Sequence, residues 1–230
     1  AERGLVVRVD TMASEAPVDT VIMSNPSPGA TVRTSDIVRL TVSAEGTETT
    51  ALLPYTLTGD IFVIDPSGVA PGGVDVPLEV ARRLQSLLEA SVAPVRSTRS
   101  AASTDTSSAG RVANLTGPVP TALIGLDAPE TAPGGYAVTT LTEEVAPSTF
   151  AESRGLADEV ATTLGASGAL VGRSTIAADS VLTAAGAPGC RVRLGSFAVA
   201  EDASLFRDPA WADTVARSIY QAIGERYQGR

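Results

Sequence analysis

An α/β sandwich with a largely parallel sheet is the fold class this sequence predicts, with a small three-stranded β module at its amino terminus. Three observations carry the prediction. Short apolar, β-branched runs recur along the chain, as at residues 61–64 and 122–126. Between them lie stretches with apolar residues at spacings of three and four, and Gly/Pro-rich loops punctuate the joins. Strands that alternate with helices build a sheet covered by helices.

Taken in order, residues 5–10, 18–23 and 37–42 run apolar or alternate as strands do, parted by turn-rich segments that include Asn25-Pro26-Ser27-Pro28-Gly29. Residues 44–50 are small and polar, a connector dividing a module of residues 1–46 from a domain of residues 51–230. Residues 61–64 predict the first strand of that domain. The loop after it, Asp65-Pro66-Ser67-Gly68-Val69-Ala70-Pro71-Gly72-Gly73, is too rich in Gly and Pro for regular structure. A helix is predicted from near Pro77, with Leu78, Ala81, Leu84, Leu88 and Val92 on one face, before the chain returns through Val95 to Thr98-Arg99. Residues 100–108 form a Ser/Thr/Ala tract read as an exposed loop.

Further strands are predicted over 122–126, 136–141 and 188–194. Thr149 and Glu152 have the spacing of a capping box for a helix from about Phe150, with Leu156, Val160 and Leu164 facing inward. Asp208 as N-cap and Pro209 at the first helical position start a last helix. Its core stripe is Ala212, Val215, Ala216, Ile219, Ile223 and Tyr227.

Composition narrows the function classes. With 43% hydrophobic and 19% charged residues the chain is ordinary for a globular protein, but its net charge is −9 and every cation is arginine. Nucleic acid and anionic membrane surfaces attract basic patches, so neither is an expected partner. No segment approaches the roughly 18 to 20 apolar residues that cross a bilayer. No signal-peptide pattern opens the chain, and any export signal or anchor is expected to lie outside it. Cys190, the single cysteine, reads as a small buried side chain. The absence of histidine matters more, because it removes Ser-His-Asp, Cys-His and His-ligated zinc chemistry by composition.

Several motifs keep a recognisable order: Asp65-Pro66 after a strand, Thr98-Arg99 at the end of the next, Arg111-Val112-Ala113-Asn114, and Gly135 before the strand at Tyr136. Over roughly residues 53–227 this order resembles the zinc-dependent N-acetylmuramoyl-L-alanine amidases of the type 3 family. The resemblance places the family's loop histidine at Gly68, its zinc-binding glutamate at Gly73 and its second histidine at Asp127, within Gly125-Leu126-Asp127-Ala128-Pro129. The family's general base falls at Arg193, within the run from Pro188 to Ser196, and a guanidinium stays protonated and cannot act as a base. The expectation drawn from this is a protein that holds no zinc or other cofactor and is not an enzyme. Residues 21–43 resemble the sheet half of a PASTA repeat, whose helix would precede Ala1, so a longer protein is expected.

Arg191 and Arg193 stand two apart on a predicted strand and so face the same way. Arg193 is expected to form a charge-assisted pair with Asp127 in place of the metal. In the alternative reading one of these arginines receives a carboxylate of a peptidoglycan stem peptide, and Arg191, Arg193 and Asp127 are the candidate ligand-binding residues. Asp60, Asp65, Asp75 and Asp202 are weaker candidates for a hard-cation site, and Trp211 with Tyr136 for stacking on a sugar ring. The resemblance implies a cell-envelope protein outside the cytoplasmic membrane that binds peptidoglycan fragments or scaffolds and regulates wall enzymes. Two rivals stand beside that reading: a protein-interaction module with no glycan affinity, and a divergent peptidoglycan hydrolase with a rebuilt site using Asp127 and other carboxylates.

Overall fold

The computed structural model describes residues 6–14, 20–26, 37–45, 54–68, 75–99 and 106–229. Contacts divide the chain into two units, Ala1–Pro54 and Tyr55–Arg230. The first unit is a three-stranded sheet of β1 (Val6–Ser14), β2 (Val21–Asn25) and β3 (Ile37–Glu45) in the order β1-β3-β2. β1 runs parallel to β3 and β2 antiparallel to it, with a register shift between Val21 and Met23. The turn expected beyond Pro26 lies outside the described residues.

The second unit is a six-stranded sheet. Its first half contains β4 (Phe62–Pro66), α1 (Val76–Ala90), β5 (Val95–Ser97), α2 (Ser108–Ala113), β6 (Ala122–Asp127) and β7 (Tyr136–Leu141). α3 (Phe150–Gly165), β8 (Val171–Ile176), α4 (Ser180–Ala185), β9 (Gly189–Arg193), α5 (Ala200–Leu205) and α6 (Pro209–Tyr227) complete it. Strand order is β5-β4-β6-β9-β7-β8. β5, β4, β6 and β9 are mutually parallel, whereas β7 meets β9 antiparallel and carries β8 parallel to itself, so the sheet is mostly but not wholly parallel.

Alternation along the strands separates the two faces. Phe62 meets the ring of Tyr227 on α6 at 5.6 Å, and the long helices α1, α3 and α6 pack together on that side. Val63 and Leu123 face the other way, into a smaller cluster with Val181, Leu182 and Ala185 of α4 and Val112 of α2. β4 and β6 are apolar and buried almost throughout, as strands covered on both faces must be. All six residues of the predicted α6 stripe are buried, and Asp208 caps that helix by accepting a hydrogen bond from the Ala210 amide at 2.9 Å.

Other details differ from expectation. α1 begins at Val76 with Asp75 as its cap, and the Leu78 amide donates to Asp75 Oδ1 at 3.2 Å. Thr149 precedes α3 but makes no side-chain cap hydrogen bond; Glu152 instead pairs with Arg226 on α6 at 2.8 Å. β8, α4 and α5 have no counterpart among the predicted elements. Cys190 is fully buried, and burial pushes its thiol up to about 12.

Val92, just after α1, has φ +65° and is 62% exposed, a β-branched residue in the left-handed region where glycine is usual. Val92→Gly is expected to raise the unfolding free energy by about 1 kcal/mol in denaturant titrations, because the strain exceeds the entropy glycine adds to the unfolded chain. An unchanged or lower midpoint would show that no strain resides there.

Candidate functional site

The site is built on one row of the sheet. Asp65 on β4, Gly125 on β6 and Arg191 on β9 are consecutive register partners, so their Cα–Cβ directions share a face. Gly125 carries no side chain, and the Arg191 guanidinium crosses above it; a Cβ there would stand 2.8 Å from both Cζ and Nη1. That passage lets Arg191 Nη2 donate to Asp65 Oδ2 at 2.8 Å from two strands away. Arg191 also grips Asp179, through Nε to Oδ2 at 2.6 Å and Nη2 to Oδ1 at 3.3 Å.

Asp179 is the N-cap of α4, accepting from the Val181 and Leu182 amides at 3.0 and 2.9 Å. Asp65, with no exposed surface, further accepts from Thr98 Oγ1 at 2.5 Å and from Arg111 Nη1 on α2. The cluster thus ties β4, the end of β5, α2, β9 and α4 together. Burial opposes the charge on Asp179, but the hydrogen bonds from Arg191 and from the Leu182 and Val181 amides outweigh it and hold the carboxyl below its usual range. Burial likewise works against the Arg191 charge, and its hydrogen bond to Asp179 and the charge of Asp65 more than restore it.

A cleft of about 290 Å3 opens beside the cluster, lined among others by Ser67, Arg111, Asp127, Asp179 and Arg191. Asp127 ends β6, two residues beyond Gly125 and so on the same face, at the carboxyl end of the parallel strands. Burial pushes its carboxyl up, and the nearby charges of Arg191 and Arg193 only partly offset that. Its Oδ1 is buried without a hydrogen-bond partner, as are Arg191 Nη1, Arg111 Nε and Arg193 Nε.

Arg193 is the register partner of Asp127, as expected for neighbours across the sheet. The expected ion pair between them is not formed: among the described residues no such pair lies within 4.0 Å, and Arg193 Nε has no acceptor. The pair that does form, Arg191 with Asp65 and Asp179, involves the other arginine of the strand. Gly68 lies just past Ser67 with φ +59°, and its carbonyl accepts from Arg99 Nη2 at 3.3 Å. Gly73 lies outside the described residues.

Thr98-Arg99 ties the end of β5 to β4 and to the start of α1. Arg99 pairs with both oxygens of Asp75, at 2.5 and 2.8 Å, and its Nε donates to the Pro66 carbonyl at 3.1 Å. The four acids weighed as a cation site are spent separately: Asp65 and Asp75 on arginines, Asp202 on the Gly135 and Ser196 amides at 3.0 and 2.9 Å, with Asp60 in a surface turn. Trp211 Nε1 donates to Tyr136 Oη at 2.9 Å, and Trp211 packs on Phe206, so these aromatics partner each other.

Zinc, which the resemblance implies, does not fit these donors. Among the described residues no three His, Cys, Asp or Glu side chains are placed to share a metal ion, and the carboxylates of the cluster are already engaged by guanidinium groups.

The cleft lies at the carboxyl ends of parallel strands, the end at which open α/β sheets generally bind their ligands. Residues 69–225 match the family of N-acetylmuramoyl-L-alanine amidases, and the chain belongs to that family. Among solved structures, Ami1 from Mycobacterium smegmatis, an N-acetylmuramyl-L-alanine amidase, is similar with a TM-score of 0.63 and 17% identity, over 75% of this chain and 98% of that one. The CwlD amidase from Clostridioides difficile, solved in complex with the GerS lipoprotein, gives 0.60 and 14%, over 73% and 98%. AmiC2 of Nostoc punctiforme gives 0.58 and 23%, over 72% and 96%. No curated protein matches the chain.

These matches correct the expectation that the chain is not an enzyme. It belongs to a family named for its amidase activity and folds like proteins that are themselves amidases, and an altered set of ligand positions does not demonstrate lost activity.

Proposed function

We propose that this chain is a divergent peptidoglycan amide hydrolase, acting outside the cytoplasmic membrane, with its site rebuilt around Asp127. The observation that carries the reading is the buried, unpartnered Oδ1 of Asp127, set in a cleft whose arginines also keep unpartnered N–H groups. Buried polar atoms are nearly always satisfied, and orphans gathered at one place point to a missing polar group. An amide is the matching complement, since its carbonyl accepts from a guanidinium and its N–H donates to a carboxylate.

In this mechanism the substrate carbonyl rests against the Arg191 and Arg111 donors, and a water lies beside Asp127. Ionised Asp127 takes a proton from the water as its oxygen bonds to the carbonyl carbon. The guanidinium groups steady the oxyanion. As the C–N bond breaks, Asp127 passes the proton to the leaving nitrogen, giving a carboxylic acid and an amine. A carboxyl raised above its ordinary value is better matched to this exchange than a free one.

The amino-terminal sheet is read as part of a PASTA repeat, and a partner in the envelope is supported by CwlD having been solved with GerS. Incubation of the protein with defined muropeptides, followed by mass spectrometry, tests the reading. Stem peptide should be released by the natural sequence and not by Asp127→Ala. A folded natural protein that releases none would refute it.

A further inference from the structure

Two charged residues at the site, Asp127 and Arg193, stand outside its direct ion pairs. Asp65 and Asp179 are matched by Arg111 and Arg191 through direct ion pairs. Arg193 has no such match among the described residues, and its Nε is buried without an acceptor. It stands two residues past Arg191 on β9 and therefore on the same face, toward the carboxyl end of the strand. Its register neighbours are Asp127 on one side and the small Ala137 on the other, so no bulky side chain crowds it along that row. In a chain of net charge −9, a half-buried guanidinium that makes no direct ion pair among the described residues is a position for an anion.

We propose that Arg193 is a specificity-determining residue that receives a free carboxylate of the peptide ligand while the scissile amide occupies the Asp127 cleft. The Nε edge of a guanidinium presents two parallel N–H groups, a planar fork that fits the two oxygens of a carboxylate. An amidated side chain offers one acceptor and adds donors that face the arginine, so it is rejected. This assignment rests on the cleft being the peptidoglycan site, but it concerns binding and can be tested apart from turnover.

The test uses the full chain and paired muropeptides that differ only in whether the stem-peptide carboxylates are free or amidated. Dissociation constants are measured by calorimetry for the natural protein, Arg193→Gln and Arg193→Lys, with thermal unfolding as a check on folding. The natural protein is expected to favour the free carboxylates by about 10- to 100-fold, the range of a charge-assisted hydrogen bond. Arg193→Gln should bring the two forms within about twofold, and Arg193→Lys should keep part of the preference, having a charge but no fork.

Where turnover is measurable, the Gln variant should raise KM far more than it lowers kcat. Equal preference in the natural protein, an unchanged ratio in Arg193→Gln, or displacement by inorganic phosphate as readily as by free carboxylate would overturn the proposal. Discrimination that persists without any turnover would sustain it and remove the hydrolase reading alone.

Discussion

Asp127→Asn is expected to lower muropeptide turnover by about 10²- to 10⁴-fold, the usual contribution of a general base, and at the same time to stabilise the fold at neutral pH. The two effects have one cause. Burial raises the Asp127 carboxyl above its unfolded value, despite the opposing charges of Arg191 and Arg193. A group raised in this way contributes stability that is fully present below the unfolded pKa, about 3.9, and is lost as pH climbs through the folded value. The ionised form that takes the water's proton is therefore the form the fold resists. Asparagine keeps the shape, cannot ionise, and supplies an amide donor in place of the charge.

Two measurements check this. The pH profile of kcat/KM should show an acid limb displaced upward from the ordinary carboxylate range. The gap in denaturation midpoint between Asp127→Asn and the natural protein should widen as pH rises past that limb. A variant less stable than the natural protein at neutral pH would mean that Asp127 is a structural anion and not a base held under strain.

Arg191→Met should destabilise the second unit by about 3 to 5 kcal/mol, the effect of stripping the partner from buried charges. Methionine fills similar volume but leaves Asp65 and Asp179 facing each other's field with Arg111 as the remaining cation. The sign with pH is opposite to that of Asp127. Asp179 is held below its usual range, so its contribution is present above the unfolded value and is lost as pH falls through the depressed one. Acidification should therefore weaken the natural protein more than Arg191→Met, and the two stabilities should converge.

Gly125→Ala offers a second route to the same contact, because its Cβ would stand 2.8 Å from the guanidinium carbon. It should destabilise the natural protein yet be nearly neutral beside Arg191→Met, a coupling that a double-mutant cycle reads directly. A loss below about 1 kcal/mol for Arg191→Met, within the range of an exposed pair, would show that the cluster is a solvated surface feature.

Elements with strong local signals were legible in the amino-acid order. β4 and β6 are apolar runs, α1 and α6 carry apolar stripes at helical spacing, and Asp208-Pro209 marks the start of α6 by cap chemistry that needs no distant partner. β8 was not legible, because Val171–Ile176 is mostly exposed and shows no alternation; it is a strand because β7 offers a free edge. α4 and α5, six residues each, are too short for periodicity to register. Asp179 could have been noticed as an N-cap before Ser180-Val181-Leu182, although nothing nearby ties it to Arg191.

The candidate site divides in the same way. That Asp127 and Arg193 end neighbouring strands followed from the order of motifs, and the register places them opposite each other. Which arginine takes which carboxylate did not follow, since Asp65, Arg111, Asp179 and Arg191 are drawn from four separate stretches of chain. Strand register brings their backbones together, and the missing side chain at Gly125 opens the path from Arg191 to Asp65. Propensity, capping and apolar spacing act over a few residues and can be read along the chain. The choice of an ion-pair partner depends on distance and on which neighbour leaves room, and those quantities exist only once the sheet has formed.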